Sequence, residues 1–220
     1  MHIHRILINK NQKLLLLITI AILAAGFLLI SIFVFYFPLS FIDRGFSEEV
    51  QKHTSPVLDT AMKAISWLGY MPNSLIVVMI TALMFFLFKY NKEALYLTVT
   101  LGSNLVCSVI KIIVNRPRPS PSLVRIVEAT RQQSYPSGHM MFYIVFLGFL
   151  VLLMCRLLTI PKFIRIGVSS IAILLILAIP YSRIYLGDHW FTDVLGGFFL
   201  GSLCLFTISY CYLKNVMVFK

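Results

Sequence analysis

A histidine and an aspartate four residues apart, His189 and Asp193, form the most reactive pair that this sequence offers. On a helix, that spacing places both side chains on one face, about one turn apart. The carboxylate can then accept the Nδ1–H of the imidazole, which leaves Nε2 free as a nucleophile and stabilises the cation formed by its attack. A structural interpretation competes, because the helix dipole favours an aspartate in a first turn. The pair alone leaves both interpretations open.

The segment Pro136-Ser137-Gly138-His139 precedes a long apolar run and could bind an anion. Free amides at a helix N-terminus carry partial positive charge, which attracts phosphate. Ser137 as an ordinary helix cap uses the same donors, so the structural and functional interpretations are compatible. His139 is a titratable ring at the mouth of an apolar segment, where it suits a proton donor to a leaving oxygen.

Three cations complete the candidate site: Lys111, Arg118 and Arg183. Each also has a structural explanation, since long basic side chains anchor apolar helices at a membrane surface. Pro117 and Pro119 end the helix that carries Lys111, and we predict that they turn Arg118 back toward it. Guanidinium groups match phosphate oxygens, and three cations could neutralise a phosphoryl transition state where a metal otherwise would.

The other charged residues near these motifs receive more ordinary predictions. Arg116 and Arg125 are expected to be surface or lipid-headgroup contacts. Asp188 and Asp193 beside two histidines could in principle hold a metal, but the surrounding cations argue against it. We therefore predict no metal and no cofactor.

The composition indicates what positions these residues. Of the 220 residues, 59% are hydrophobic and 12% are charged, and the mean hydropathy is +0.90, which excludes an ordinary soluble domain. Runs near the roughly 20 residues that cross a bilayer lie at about 14–37, 73–88, 94–114, 140–159, 163–182 and 192–213. The sequence thus predicts an all-α bundle of six transmembrane helices. The first run is too long for a secretion signal and lacks a small-residue cleavage site, so we predict a retained anchor.

The loop charges predict the orientation of this bundle. One set of loops carries ten Lys and Arg against one acid, and the other carries nine against seven acids. The positive-inside rule assigns the first set to the cytoplasm; its basic residues are Arg5, Lys10, Lys13, Lys89, Lys92, Arg156, Lys162, Arg165, Lys214 and Lys220. Both termini are then cytoplasmic, and all the candidate residues fall at the outer face. The net charge of +11 reflects this topology and gives no reason to expect a nucleic-acid partner.

The rest of the chain suggests one membrane domain over residues 1–220. Residues 38–72 form its longest non-spanning stretch, where Leu58, Met62, Ile65 and Leu68 recur at helical intervals and predict one short interfacial helix. The four cysteines show neither a CxxC pair nor a histidine at ligand spacing, so we expect small packing residues rather than disulfides or a zinc site; they are Cys107, Cys155, Cys204 and Cys211. Arg131 adds a further cation to the outer loop that holds Arg118.

Taken together, these motifs resemble the type 2 phosphatidic acid phosphatases, which share their site with vanadium haloperoxidases and bacterial acid phosphatases. The family pattern is Lys, six residues, Arg-Pro; then Pro-Ser-Gly-His; then Ser-Arg, five residues, His, three residues, Asp. Eleven positions meet it in order and spacing: Lys111, Arg118, Pro119, Pro136, Ser137, Gly138, His139, Ser182, Arg183, His189 and Asp193. The resemblance covers about residues 55–213, with residues 1–54 left as the first transmembrane helix and the start of an outer loop.

The resemblance implies a mechanism and a class of substrate. It implies that His189 becomes phosphorylated, that Asp193 orients it and that His139 protonates the leaving group, with no metal required. It assigns the phosphate oxygens to Lys111, Arg118, Ser137, Gly138 and Arg183. The six-span layout is similar to the membrane-bound bacterial lipid phosphatases, so we expect a lipid phosphate or diphosphate substrate in the plasma (inner) membrane. Undecaprenyl diphosphate is the leading expectation, with phosphatidylglycerophosphate, phosphatidic acid and lipid A phosphate as alternatives.

Two other functions use the same residues. Vanadate-dependent halide oxidation needs the same oxyanion cradle, but the members with that activity are soluble, which disfavours it here. A lipid-headgroup binding or transport protein would keep the pocket without turnover. Degenerate relatives usually lose the nucleophile or its acid, whereas His189, Asp193 and His139 are all present, and this favours an enzyme.

Overall fold

A computed structural model describes residues 10–128, 130 and 132–216, and this part of the chain is helical without strands. Its helices are α1 (Lys10–Tyr36), α2 (Phe41–Val50), α3 (Pro56–Ser66), α4 (Asn73–Leu87), α5 (Asn91–Val99), α6 (Gly102–Val114), α7 (Gly138–Phe142), α8 (Gly148–Arg156), α9 (Lys162–Tyr185) and α10 (Phe191–Val216). A 3₁₀ turn, Trp67–Gly69, follows α3, and a π-helical turn, Tyr143–Leu147, joins α7 to α8. Arg5, Arg131 and Lys220, which the charge argument uses, lie outside the described residues.

The predicted all-helical membrane fold is confirmed, and the predicted spans agree with the helices except for the second. Five stretches are long and apolar enough to cross a bilayer: Leu14–Tyr36, Asn91–Val114, Gly138–Arg156, Lys162–Tyr185 and Phe191–Lys214. The predicted second span corresponds to α4, which has only 15 residues and falls short of a bilayer by itself. Taken together, α3 with the turn after it and α4 are long and apolar enough to cross a bilayer, with a bend of 57° between the two helices. By length and composition, the described residues therefore contain five helices that could span a membrane, or six spans when this bent pair counts as one.

The region before α4 contains two helices, so the prediction of one short helix there was incomplete. The expected apolar residues do lie on α3 and the turn after it, where Ile65 and Leu68 pack against the core. The first helix, α2, is capped by Ser40, whose hydroxyl accepts a hydrogen bond from the amide of Asp43. Both helices pack against α9, and they bring polar side chains to the end of the bundle where the motifs lie.

The first two turns of α10 lie close to the chain that enters α7. A side chain at Gly197 would place its Cβ 2.7 Å from the carbonyl oxygen of Ser137, and one at Gly196 would meet the Tyr135 ring at 2.3 Å. Because glycine has no Cβ, these two backbones can approach within contact distance. This approach fixes the Ser137 motif against the helix that follows His189.

The basic loops after α4 and α8 and the loops that carry the motifs lie at different ends of the bundle. Tyr90 and Thr159, from the loops that follow α4 and α8, are joined by a hydrogen bond of 2.7 Å, so these basic loops share one end. The motif loops share the other. The four cysteines are free; Cys107 and Cys204 pack in the core as expected, whereas Cys155 and Cys211 are exposed and do not fill the packing role that was predicted.

Candidate active site

Three sequence motifs that are far apart in the chain meet at one end of the bundle. The amide of Ser137 donates to the carbonyl of Asp193 at 3.0 Å, and the amide of Ser134 donates to the carbonyl of Arg116 at 2.9 Å. The amide of Val127 reaches the carbonyl of Leu186 at 2.9 Å. The loop between α6 and α7 is thus tied to the loop between α9 and α10, which carries His189.

His189 lies at the centre of this site and is only 2% exposed. Its Nδ1 is 3.5 Å from Oδ2 of Asp193, and its Nε2 is 3.5 Å from Oδ2 of Asp188. Burial lowers the pKa of His189 well below its ordinary value, and the positive charge of Arg118 lowers it further. The imidazole is therefore neutral at neutral pH, as a nitrogen nucleophile must be.

The predicted helical register of the pair needs correction. His189 lies in the turn that precedes α10, and only Asp193 is inside the helix, in its first turn. The Oδ2 atom of Asp193 accepts the amide of Trp190 at 2.8 Å, which is how a first-turn acid satisfies a free amide at a helix start. Asp193 therefore also has the structural role of a first-turn acid, and the same oxygen faces the imidazole.

Asp193 is held on both of its oxygens. Oδ1 forms an ion pair with Nη1 of Arg116 at 2.6 Å, and Oδ2 also accepts the hydroxyl of Ser134 in a short hydrogen bond. All three side chains are buried. A carboxylate with both oxygens engaged has one orientation, so Oδ2 stays on the side of His189.

The cations predicted from the sequence converge around the same histidine. Arg183 is fully buried and donates to Ser66 at 2.9 Å and to Tyr70 at 2.6 Å. Lys111 donates to the carbonyl of Gln133 at 2.6 Å. Arg118 also reaches that carbonyl, at 3.5 Å, so the two side chains meet as predicted from Pro117 and Pro119.

The acid beside the nucleophile, Asp188, compensates two of these cations. Its carboxylate forms ion pairs with Arg118 at 2.7 Å and with Arg183 at shorter range. Burial alone would raise the pKa of Asp188, but the positive charges of Arg183 and Arg118 outweigh it and hold that pKa well below its usual range. Asp188 is consequently an anion placed where two guanidinium groups and the Nε2 atom of His189 come together.

The second motif adopts the expected cap and brings a second imidazole. Ser137 caps α7 by accepting the amide of Met140 at 3.4 Å, and Gly138 is the first residue of that helix. The ring of His139 stacks edge-on against Tyr70 with centroids 4.4 Å apart. Its Nε2 is buried without a hydrogen-bond partner in the described part of the chain. That nitrogen is free to exchange a proton with a bound molecule.

The prediction for Arg116 was wrong. Its guanidinium is 2% exposed and pairs with Asp43 and Asp193, both at 2.6 Å, because two buried carboxylates require a buried cation. Arg125 does lie at the surface, where it pairs with Asp59 at 2.6 Å, and this pairing holds the pKa of Arg125 above its ordinary value.

Several residues near His189 were not singled out from the sequence. Ser66 and Tyr70 contact Arg183, and Ser134 contacts Asp193. Asp43 pairs with Arg116, which in turn holds Asp193. The only available signal was Ser40 three residues before Asp43, a pattern typical of a helix start. Ser66 and Tyr70 come from the bent α3–α4 connection, and their spacing carries no motif.

The donor set can bind a tetrahedral anion and attack it. Lys111, Arg118 and Arg183 supply positive charge, and His189 supplies a neutral nitrogen beside a fixed carboxylate. Within the residues that the structure describes, no group of three or more His, Cys, Asp or Glu side chains is arranged to hold a metal ion.

Comparison with known proteins places the chain among membrane phosphatases. The family model described as PAP2 superfamily matches residues 92–217. Phosphatidylglycerophosphatase B of Bacillus subtilis is 31% identical over 172 residues, which cover 76% of this chain and 81% of that protein. Undecaprenyl-diphosphatase of Sulfolobus acidocaldarius is 33% identical over 147 residues, which cover 56% of this chain and 66% of that protein.

Solved structures share the same architecture. A crystal structure of a transmembrane PAP2 type phosphatidylglycerolphosphate phosphatase from Bacillus subtilis superposes with a TM-score of 0.78 and 25% identity, over 89% of this chain and 96% of that one. A crystal structure of Aquifex aeolicus LpxE superposes with a TM-score of 0.59 and 22% identity, over 77% of this chain and 93% of that one. The second likeness concerns the fold alone.

Proposed function

This chain belongs to the PAP2 superfamily and is a lipid phosphatase of that kind. We propose that it releases phosphate from undecaprenyl diphosphate through a phosphohistidine at His189, without a metal. The observation that carries the mechanism is the meeting of a neutral, buried His189 with Arg118 and Arg183 beside a carboxylate fixed on its Nδ1 side. Phosphoryl transfer to a histidine needs this combination of a neutral nitrogen nucleophile, positive charge and an orienting carboxylate.

The first half-reaction transfers the terminal phosphoryl group to the enzyme. Nε2 of His189 attacks phosphorus, a P–N bond forms, and the bond from phosphorus to the leaving oxygen breaks. His139 gives its proton to that oxygen, while Asp193 stabilises the cationic ring of His189. The phosphate oxygens lie against Lys111, Arg118 and Arg183, the hydroxyl of Ser137 and the amide of Gly138, which neutralise the charge of the transition state.

The second half-reaction restores the enzyme. A water molecule attacks the phosphohistidine, His139 now accepts the proton of that water, and the P–N bond breaks to release inorganic phosphate. The roles of His139 reverse between the two steps, as microscopic reversibility requires when one residue serves as acid and then as base. Every proton and electron pair is accounted for by the two histidines, the lipid and water.

We further propose that the site faces outward from the plasma membrane, with both termini in the cytoplasm. The support is the charge asymmetry of the loops, since the basic loops after α4 and α8 share the end opposite to His189. A lipid can then remain in the outer leaflet while its headgroup reaches the cations. Assays on sealed vesicles of both orientations test this, because only right-side-out vesicles should hydrolyse externally added lipid.

Phosphatidylglycerophosphate is the second candidate substrate. The curated relative named for that lipid aligns with more of this chain than the undecaprenyl-diphosphatase does, and the structure with a TM-score of 0.78 carries a similar name. Phosphatidic acid and lipid A phosphate complete the set, because both present a phosphate at a membrane surface. The lipid with the highest kcat/KM identifies the substrate.

The deciding experiment measures phosphate release in detergent from these four lipids, each with and without EDTA. Wild type should hydrolyse at least one lipid with EDTA present, and His189→Ala should be inactive. His53→Ala is the matched control, since His53 is exposed and lies outside the site, and it should retain full activity. Binding of the lipids without release by wild type would instead identify a headgroup-binding protein, and loss of activity in EDTA would revive a metal site.

A further inference from the structure

The guanidinium of Arg116 occupies an unusually complete polar environment for a residue outside the family pattern. Nε donates to the carbonyl of Pro38 at 3.0 Å, and Nη1 donates to Thr192 at 2.7 Å and to Asp193 at 2.6 Å. Nη2 donates to Asp43 at 2.6 Å. The side chain is fully buried. Each of its nitrogens has a partner, so the group has one orientation.

Asp43 fixes this arginine from the opposite side and also anchors the start of α10. One of its oxygens accepts the amide of Thr192 at 2.8 Å, and the other accepts the hydroxyls of Thr192 and Ser40, both at 2.9 Å. The acid thus serves both as a cap for α10 and as the counter-ion of Arg116. Displacement of α2 would therefore alter the arginine and the first turn of α10 together.

The helix that supplies Asp43 is itself held at its C-terminal end and at its middle. Gln51, just after α2, donates to the carbonyl of Arg125 at 2.8 Å and to that of Tyr185 at 2.9 Å. Phe46 stacks on Phe191, the first residue of α10, with ring centroids 3.9 Å apart. Helix α2 is thus attached to the loop before α7 and to both helices that flank His189, and all of α2 precedes the residues matched by the family model.

We propose that Arg116, held by Asp43, is a positioning residue of the active site that acts through Asp193. Arg116 engages Oδ1 of Asp193, and this leaves Oδ2 as the oxygen that faces Nδ1 of His189. The guanidinium also pairs a carboxylate that is fully buried, where an unpaired charge would be costly. This inference rests on the proposed function, because it concerns the nucleophile of that reaction.

A positioning role predicts a specific kinetic pattern. Arg116→Met should lower kcat by about 10- to 100-fold, the usual range for a partner that orients a reacting group from behind. KM should change little, since Arg116 does not touch the phosphate in this account. Arg116→Lys keeps the charge but loses the fork, so its kcat should lie between those of wild type and Arg116→Met.

The double-mutant cycle with Asp193→Asn separates positioning from simple damage to the fold. If Arg116 acts through Asp193, Arg116→Met should lower kcat by less than about threefold in the Asp193→Asn background. A residue with a merely structural role would lower kcat by the same factor in both backgrounds, and that result overturns the proposal. If Arg116→Met does not fold, Arg116→Lys replaces it in the double-mutant cycle, and the same two outcomes support or overturn the proposal.

Two controls make the outcome unambiguous. Arg44→Met removes another arginine of an ion pair, with Glu48 at 2.8 Å on an exposed side of α2, and should leave kcat unchanged. Wild type must hydrolyse lipid in the same preparations: an inactive wild type refutes the proposed function. Active wild type with a fully active Arg116→Met refutes only this inference.

Discussion

Replacement of Asp193 by asparagine tests the orientation of the nucleophile with the smallest change in shape. The substitution removes one negative charge that lies 3.5 Å from Nδ1 of His189. As Nε2 attacks phosphorus, the ring becomes cationic, and Asp193 stabilises that charge. The asparagine side chain has one acceptor oxygen, so it cannot accept hydrogen bonds from Arg116 and from Nδ1 of His189 on two separate oxygens as the carboxylate does.

The size of the effect follows from this distance. At an effective dielectric constant of about 20, a full positive charge at 3.5 Å interacts with the carboxylate by about 5 kcal/mol. A transition state with half of that charge would lose about 2.4 kcal/mol. The corresponding decrease in kcat is roughly 60-fold for half of the charge and roughly 3,000-fold for the full charge. KM should remain within about threefold of wild type, because the lost interaction is specific to the transition state.

The assay is steady-state phosphate release from the best lipid substrate, together with the thermal midpoint of each purified variant. Asp59→Asn is the matched control, since Asp59 also pairs with an arginine, Arg125, but lies outside the site; its kcat should equal that of wild type. A folded Asp193→Asn enzyme with kcat within about threefold of wild type would refute the orienting role. So would an increase in KM with kcat intact.

Four further outcomes are expected. A Cβ at Gly69 would lie 2.3 Å from Cδ2 of His139, so Gly69→Ala should displace that ring and lower kcat by about tenfold or more; unchanged kcat would separate His139 from proton transfer. Because the folded-state pKa of His189 is lowered, ¹⁵N NMR of the histidines should show this ring, identified by its loss in His189→Ala, still neutral at pH 6; a protonated ring at that pH would contradict it. For the same reason, stability should fall as the pH decreases below the unfolded value of about 6.5. Asp188→Asn removes the anion that competes for Arg118 and Arg183, so orthovanadate should inhibit this variant at a lower concentration than wild type, and equal or weaker inhibition would argue against competition.

The spans and the meeting of the motifs were predictable because both depend on simple repeated constraints. Apolar length identifies a helix that crosses a bilayer, and an even number of crossings between motifs places them at one end. The exception is the second span. Gly69, Pro72 and Asn73 mark a turn in the sequence, but only the structure shows that α3 and α4 meet there at 57°.

The buried ion pairs were not predictable from local patterns. Arg116 stands in a loop with other basic residues, and such residues are usually solvated. Its burial depends on Asp43 and Asp193, which are 73 and 77 positions away in the chain. Likewise, the turn before α10 places His189 outside the helix, although the spacing of four residues to Asp193 predicts that both lie on it. Local spacing thus predicted the pair, while long-range charge compensation determined how the pair is held.

The most direct test of the account is to trap the enzyme during turnover. Acid-labile, base-stable phosphate should appear on the wild-type protein within one turnover of a lipid phosphate, and mass spectrometry should locate it on His189. Hydrolysis by wild type without any such adduct, or an adduct that persists in His189→Ala, would contradict nucleophilic attack by this residue.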